Sequence, residues 1–264
     1  VSEGSGDLFS LRGRRALITG AGQGIGFALA RGLGAAGAEV LLNDVDPARL
    51  EQAVATLRGE GLVVHGRCFD VTNGEDVERS VAEIERGIGA VDIVINNAEV
   101  HRSHGIGNRT GTDVARMEME INYLGLLRLS QALGPALQGR AADGVTHACA
   151  WVNLLSIYAL SNFPSHGTYS ASKAAAYSLS QCLRAEMRPS GIRVVHVFPG
   201  PIDDEWNQNM PPPKLSPEAL ASAVIKALRD GTEDVYPGDV AQEWLQRWRD
   251  NPKVLEREIA AGGT

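Results

Sequence analysis

Short apolar runs take turns along this chain with longer stretches in which hydrophobic positions recur every three or four residues. The apolar runs fall at residues 14–20, 39–44, 62–69, 91–97, 148–156, 192–198 and 233–236. Between them, residues 27–36, 47–59, 75–88, 112–137, 168–188 and 217–229 carry helical spacing, and Gly134-Pro135 is expected to break the fourth of these. Strands that are apolar throughout bury both faces, and a helix follows each of them. That pattern predicts a parallel sheet covered on both sides. Seven runs predict seven strands, in a doubly wound α/β architecture. No repeat or linker divides the chain, so residues 1–264 are expected to form one domain behind a loose polar leader at 1–10. Residues 239–264 are expected to hold a last helix and a tail. There Trp244 and Trp248 share a face with Val240 and Leu245 nearby, a stripe suited to core or subunit interface.

Chemistry enters where the first apolar run meets Gly20-Ala21-Gly22-Gln23-Gly24-Ile25-Gly26. A strand, a glycine-rich turn and a helix opening form the context that lifts a glycine pattern above noise. Without side chains the backbone can approach a pyrophosphate, and the helix N-terminus supplies amide donors and a positive dipole. The second run ends at Asp44, 18 residues after Gly26. A carboxylate there can accept both hydroxyls of an adenine ribose and repels a 2'-phosphate. Gln23 and Val45 supply no basic group, so NAD is favoured over NADP. A Rossmann-type dinucleotide domain is the expectation.

Tyr169 and Lys173 stand four residues apart in a stretch that reads as helix from Thr168, a candidate N-cap. That spacing puts phenol and ammonium on one face. A unit charge ~4 Å away is worth ~4 kcal/mol at an effective dielectric of ~20. At ~1.4 kcal/mol per pKa unit, Lys173 is expected to lower the tyrosine from ~10 towards ~7. Tyr169 then becomes a proton-transfer group at neutral pH. Taken alone the pair is a weak signal, since a surface helix places Tyr and Lys together by chance.

Composition narrows the remaining classes. With 44% hydrophobic and 22% charged residues, a large core is available and wholesale disorder is excluded. A formal charge of -7 argues against nucleic acid or an acidic membrane as partner. No run of 18 apolar residues or basic-then-apolar leader is present, which points to a cytoplasmic protein without a membrane span. Cys68, Cys149 and Cys182 are odd in number and widely spaced. They read as buried thiols in a reducing compartment, and no metal site is expected.

With these pieces placed, the chain resembles the short-chain dehydrogenase/reductase family over roughly residues 10–240. Thr19-Gly20-Ala21-Gly22-Gln23-Gly24-Ile25-Gly26 is similar to its Thr-Gly-x-x-x-Gly-x-Gly turn, and Asn96-Asn97-Ala98 to the start of Asn-Asn-Ala-Gly. Ser156, Tyr169 and Lys173 resemble its catalytic serine, tyrosine and lysine. Asn122 falls at its helix asparagine, and Pro199-Gly200 at its turn under the nicotinamide. The N-terminal half is particularly similar to gluconate 5-dehydrogenase-like and 3-oxoacyl-reductase-like members.

The resemblance implies an NAD-dependent oxidoreductase acting on a small alcohol or ketone, such as a polyol, a sugar acid or another hydroxy or keto compound. Tyr169 would be the general acid/base, Ser156 would hold the reacting oxygen, and Lys173 would bind the nicotinamide ribose. Asn122 would hold a water linking Lys173 to solvent. Around the cofactor it implies Gly20, Gln23, Gly24, Ile25, Gly26, Asp44, Asp70, Val71, Asn97, Ala98, Pro199, Gly200 and Ile202, with Tyr169 and Lys173. A homotetramer or homodimer on the helices bearing Asn122 and Tyr169 is also implied, and Leu124, Leu126, Leu127 and Leu129 give it mild support.

Two positions depart from the family pattern. Glu99 replaces the glycine of Asn-Asn-Ala-Gly, and Asp203-Asp204 stand where many members have a threonine touching the cofactor. Acids there are expected to repel an anionic dinucleotide, so a catalytically weak NAD-binding protein with a sensing role is the alternative. The substrate pocket is expected from residues 100–104, 158–167 and a lid at 200–215. Phe163, Trp206 and Met210 would be its apolar surface. His101, Arg102, His104, Asn162 and His166 would be its polar handles.

Overall fold

A computed structural model describes residues 10–108, 110–142, 150–204, 207, 208, 210 and 212–262. Seven strands form one all-parallel sheet: β1 (Arg15–Ile18), β2 (Glu39–Asp44), β3 (Val64–Cys68), β4 (Ile93–Asn96), β5 (Ala150–Leu154), β6 (Arg193–Val197) and β7 (Asp234–Val235). Their order is β3-β2-β1-β4-β5-β6-β7. The chain therefore reverses direction across the sheet between β1 and β4, where Ile18 pairs with both Leu42 and Ile95. Loops at the carboxyl ends of these two strands diverge and leave a crevice.

Successive side chains of a strand point to opposite faces, and both faces here are buried. Ile18, Leu42 and Ile95 join α1 (Gly24–Ala35), α2 (Pro47–Gly59) and α7 (Pro217–Asp230) in one core. Leu17, Leu41 and Val94 face a second core with α3 (Gly74–Gly87), α5 (Gly125–Ala142) and α6 (Gly167–Met187). Side-chain caps start several of these helices. Asp46 accepts from Ala48 N and Arg49 N ahead of Pro47, Asn73 accepts from Asp76 N, and Ser216 accepts from Ala219 N. Each cap satisfies backbone donors that the first helical turn leaves without partners.

Residues 112–137 depart from the expected course. The chain forms α4 (Asp113–Met119), a π turn at Glu120–Leu124, and then α5, which runs through Pro135. Pro135 removes the N–H that would bond to Gln131, and Gln131 is exposed, so the break expected there does not occur. The irregularity falls instead at Asn122. Its Oδ1 accepts from Val100 N at 2.9 Å, while its Nδ2 donates to Val100 O and to Ser172 Oγ, each at 2.9 Å. Such single wide turns inside helices recur at functional sites.

At the C-terminus, α8 (Gly238–Asp250) buries Trp244 and packs Trp248 against the second core, so the stripe is core rather than a bare interface. A further helix, α9 (Pro252–Ala260), follows; Asn251 caps it from Lys253 N and Val254 N, and Leu255 and Ile259 are buried. Leu126 and Leu129 are also core residues, which removes half of the leucine argument for an assembly surface. Contrary to the expectation of buried thiols, Cys68 on the edge strand β3 and Cys182 on the outer side of α6 are both exposed. The leader up to residue 9, the beginning of the fifth apolar run, Cys149, Glu205 and Trp206 lie outside the described residues. Among the described residues, no helix is long and apolar enough to cross a membrane, and no cluster of His, Cys, Asp and Glu could hold a metal ion.

Candidate active site

The glycine turn between β1 and α1 opens a cleft at the crevice. Its walls include Gly20, Gln23, Gly24, Ile25, Gly26, Asp44, Asp70, Val71, Asn97 and Ala98, so ten of the expected cofactor residues come together. A methyl on Gly26 would stand 2.2 Å from Gly20 O, and one on Gly22 would stand 2.6 Å from Asp44 Oδ2. Only bare backbone fits at those two positions. The turn is held from the far side of the crevice. Asn97 Nδ2 donates to Thr19 O and Gly20 O, and Thr19 Oγ1 accepts from Asn97 N and Ala98 N. With no acidic residue in its first turn, α1 presents its positive end to the cleft. A glycine cradle of this kind fits the pyrophosphate of a dinucleotide.

Asp44 is buried at the end of β2 and occupied on both oxygens. Oδ2 accepts from Gly22 N at 3.0 Å, and Oδ1 accepts from Asp46 N at 2.9 Å and Arg49 Nη2 at 2.8 Å. Arg49, which lines the same cleft, was absent from the sequence-based set. The cofactor argument from Gln23 and Val45 alone is therefore incomplete, since Arg49 places a basic group beside Asp44. The Asp46 cap and Pro47 start α2 so early that its first turn brings Arg49 back over β2.

A second pocket adjoins the first, and Ile25, Asn97, Glu99 and Asp204 line both. It collects Ser156, Tyr169, Pro199, Gly200 and Ile202 with His101, Tyr158, His166, Asn207 and Met210. Ser156 follows β5, and its Oγ accepts from Tyr158 N at 3.2 Å and is hydrogen-bonded to Tyr169. Tyr169 lies in the first turn of α6. That helix starts after His166 without a side-chain cap, and the Thr168 hydroxyl stands 3.5 Å from His104 Nε2 instead of capping. Tyr158 and Asn207 come from the expected loop and lid segments, whereas Leu154 and Leu155, at the end of β5, were not expected in the pocket. Of the expected handles, Arg102 lines the dinucleotide cleft, Phe163 faces a neighbouring apolar chamber, Asn162 is exposed, and His104 bonds back to Arg102 O.

Lys173 sits one turn beyond Tyr169, 3% exposed, with its ammonium 5.7 Å from the tyrosine ring centre. It donates to Leu154 O at 2.8 Å and pairs with Glu99 Oε2 at 2.5 Å. The same carboxylate oxygen accepts from Tyr169 Oη at 3.3 Å. Glu99 thus stands between the two residues that were expected to couple directly. Burial pushes the Tyr169 phenol well above its usual value, the Glu99 charge and hydrogen bond push it further, and only the bond to Ser156 opposes them. This reverses the expected lowering: a neighbouring anion disfavours the phenolate and offsets the Lys173 charge. The Glu99 carboxylate faces the Lys173 ammonium, while its side chain also lines the dinucleotide cleft. Of the other acid pair, Asp203 bonds to Lys214 and Asp204 accepts from Asn207 N and Nδ2. Burial, with His101 and His104 nearby, lowers His166 to about 4, so its ring is neutral at physiological pH. Asn122 and Lys173 line neither pocket and stand behind the surfaces that do.

Residues 14–214 match the model of the short chain dehydrogenase family. The chain belongs to that family. Its members are oxidoreductases, and the likeness reaches into sequence. A 5-keto-D-gluconate 5-reductase of Escherichia coli is 34% identical over 198 residues, covering 74% of each chain. A short chain dehydrogenase of Burkholderia cenocepacia, solved in complex with NADP, superposes with a TM-score of 0.83 at 34% identity, over 95% of this chain and 99% of that one. Another, from Burkholderia phymatum in complex with NAD, gives 0.79 at 25% identity, over 95% and 96%. As a short chain dehydrogenase, this chain has a cleft suited to a nicotinamide dinucleotide. Neighbours solved with NADP and with NAD frame the choice between the two.

Proposed function

We propose that this short chain dehydrogenase interconverts a small alcohol and its ketone with NAD(H). One observation carries the reading: the pocket holding Ser156 and Tyr169 opens directly into the glycine cleft through Ile25, Asn97 and Glu99. A nicotinamide bound across that opening supplies the hydride acceptor or donor. The protein does the rest. Ser156 and Tyr169 hold the reacting oxygen, and the phenol, neutral at physiological pH, gives a proton to the oxygen of a ketone being reduced. Pro199 and Gly200 floor the pocket, and Ile202 closes one side. Asn122 braces Val100 and Ser172, keeping the loop after β4 and α6 in register.

Substrate choice follows from the lining. His101, His166 and Asn207 can hydrogen-bond hydroxyls, while no Arg or Lys lines this pocket among the described residues. The one cation in the lid sequence, Lys214, is bonded to Asp203. A carboxylate would lack an ionic partner here, so a neutral polyol or hydroxyketone fits better than a sugar acid, although a relative's name includes 5-keto-D-gluconate. NAD(H) is preferred because the buried Asp44 carboxylate stands where a 2'-phosphate would bring further negative charge; Arg49 limits that preference. Homo-oligomerisation through α5 and α6 and a cytoplasmic location complete the reading.

The test is a panel of polyols, hydroxyketones and sugar acids with each nicotinamide cofactor, followed by the absorbance of the reduced form. Turnover on any of them establishes the class. One observation favours a second reading. Glu99 occupies Lys173, the residue expected on the nicotinamide ribose, as a weakly active sensor of the dinucleotide would have it. Saturable NAD binding without turnover across the panel is its signature.

A further inference from the structure

Glu99 has a position that the family pattern, with glycine there, cannot reproduce. A single oxygen, Oε2, lies 3.3 Å from Tyr169 Oη and 2.5 Å from Lys173 Nζ. Tyr169 and Lys173 are buried, at 7% and 3% exposure. The Glu99 side chain is 27% exposed and lines both the catalytic pocket and the dinucleotide cleft. It therefore links the buried phenol and ammonium to the more open cleft. We propose that Glu99 is the proton acceptor of this site, taking the Tyr169 proton as Tyr169 takes the proton of the substrate alcohol. The proposal rests on the functional reading above.

The step balances. The carbinol C–H bond breaks and its two electrons leave with the hydride to the oxidised nicotinamide. The alcohol O–H proton passes to Tyr169 Oη, the phenol proton passes to Glu99 Oε2, and the ketone forms. Neutral Glu99 then loses its proton to solvent and regenerates the pair with Lys173. A neighbouring carboxylate is what an un-ionised phenol requires. Tyr169 is held well above its ordinary value, so phenolate is scarce at neutral pH and the alcohol needs another base within reach. Lys173, fixed by Leu154 O, holds the carboxylate in place beside the phenol. Other titratable groups face this point as well. His101 and Arg102 lie on the loop that carries Glu99, and Asp204 lies beyond β6. Tyr158 and His166 come from the turns between β5 and α6. The Tyr169 hydroxyl donates to Glu99 Oε2.

The experiment is the pH dependence of alcohol oxidation for the wild type, E99Q and E99D, with thermal melting to establish that each variant folds. The wild type should be flat through neutral and mildly alkaline pH. E99Q should lose at least tenfold at neutral pH and acquire a limb that rises at alkaline pH, because only phenolate remains as base. E99D should keep the flat profile at a reduced rate. A neutral-pH rate that E99Q keeps or raises would overturn the proposal and make Glu99 a plug over Lys173. So would a wild type whose rate itself climbs through a single alkaline ionisation. Absence of any turnover by the wild type sinks the functional reading, whereas turnover that E99Q retains sinks this proposal alone.

Discussion

Arg49 Nη2 lies 2.8 Å from Asp44 Oδ1, so the acid that ends β2 and the first turn of α2 form one charged unit at the mouth of the dinucleotide cleft. The Asp44 charge is thereby partly neutralised. NAD(H) should still bind at least tenfold more tightly than NADP(H), ~1.4 kcal/mol of discrimination. Arg49→Ala should widen the gap, since its cation is what a phosphate would use, and Asp44→Ala should narrow or invert it. Titration calorimetry with both cofactors decides; equal affinities in the wild type would contradict the account.

The cradle makes a steric prediction. At 2.2 Å from Gly20 O, the methyl of Gly26→Ala has nowhere to go, because the obstacle is backbone held by Asn97. Overpacking of this kind costs roughly 1–3 kcal/mol. Both melting temperature and cofactor affinity should fall. Unchanged NAD binding in a folded variant would mean that the turn is not the cofactor seat.

Asn122→Ala removes both hydrogen bonds to Val100 and the one to Ser172, leaving buried backbone groups without partners. Each such orphan costs ~1–3 kcal/mol. The melting temperature should drop, and turnover should fall more than cofactor affinity does. A melting curve that coincides with the wild type would show that the π turn does not depend on its asparagine.

Acid sensitivity has an identifiable source far from the site. The Asp234 carboxyl is held at about 2 by the His196 ring, whose Nδ1 lies 3.2 Å away, and by Arg184, against the burial that opposes them. The folded value lies below the unfolded one, so the stabilisation is present above the ordinary range near 3.8 and is lost as pH falls from there towards 2. Asp234 is 43% exposed, which screens the effect to a modest size. Asp234→Asn should therefore be less stable than the wild type at neutral pH, and the two melting temperatures should converge on acidification. A constant difference down to pH ~3 would rule this out.

Legibility in the sequence followed the range of the interactions. All seven strands and the glycine turn could be read because their signals are local: unbroken apolar runs, and glycines where backbone must approach backbone. Ser156, Tyr169 and the Pro199-Gly200 turn could be placed by resemblance, and they meet in one pocket. Arg49 was not legible, because its role depends on how tightly Asp46 and Pro47 turn α2 over β2. The target of Glu99 was equally hidden. From sequence it looked like a charge beside the phosphates, whereas the chain after β4 aims it at Lys173, a distance of 74 residues away in sequence. At Pro135, local propensity misled: the helix tolerates proline on its solvent side, and its irregularity forms where Asn122 must bond inward. The Asn251-Pro252 start of α9 carried a readable cap signal that the tryptophan stripe overshadowed.

The central claim is that Tyr169 is the proton-transfer group of a dehydrogenase, and Tyr169→Phe tests it most directly. The change removes one oxygen and keeps the ring in its contacts with His101 and Tyr158. Turnover should be compared with the wild type on the best substrate of the panel, with melting and NAD binding measured beside it. The account predicts a loss of roughly 10²–10⁴-fold in turnover, as expected when a positioned acid–base group is lost, with fold and NAD affinity retained. A Tyr169→Phe variant that keeps most of the wild-type rate would contradict it.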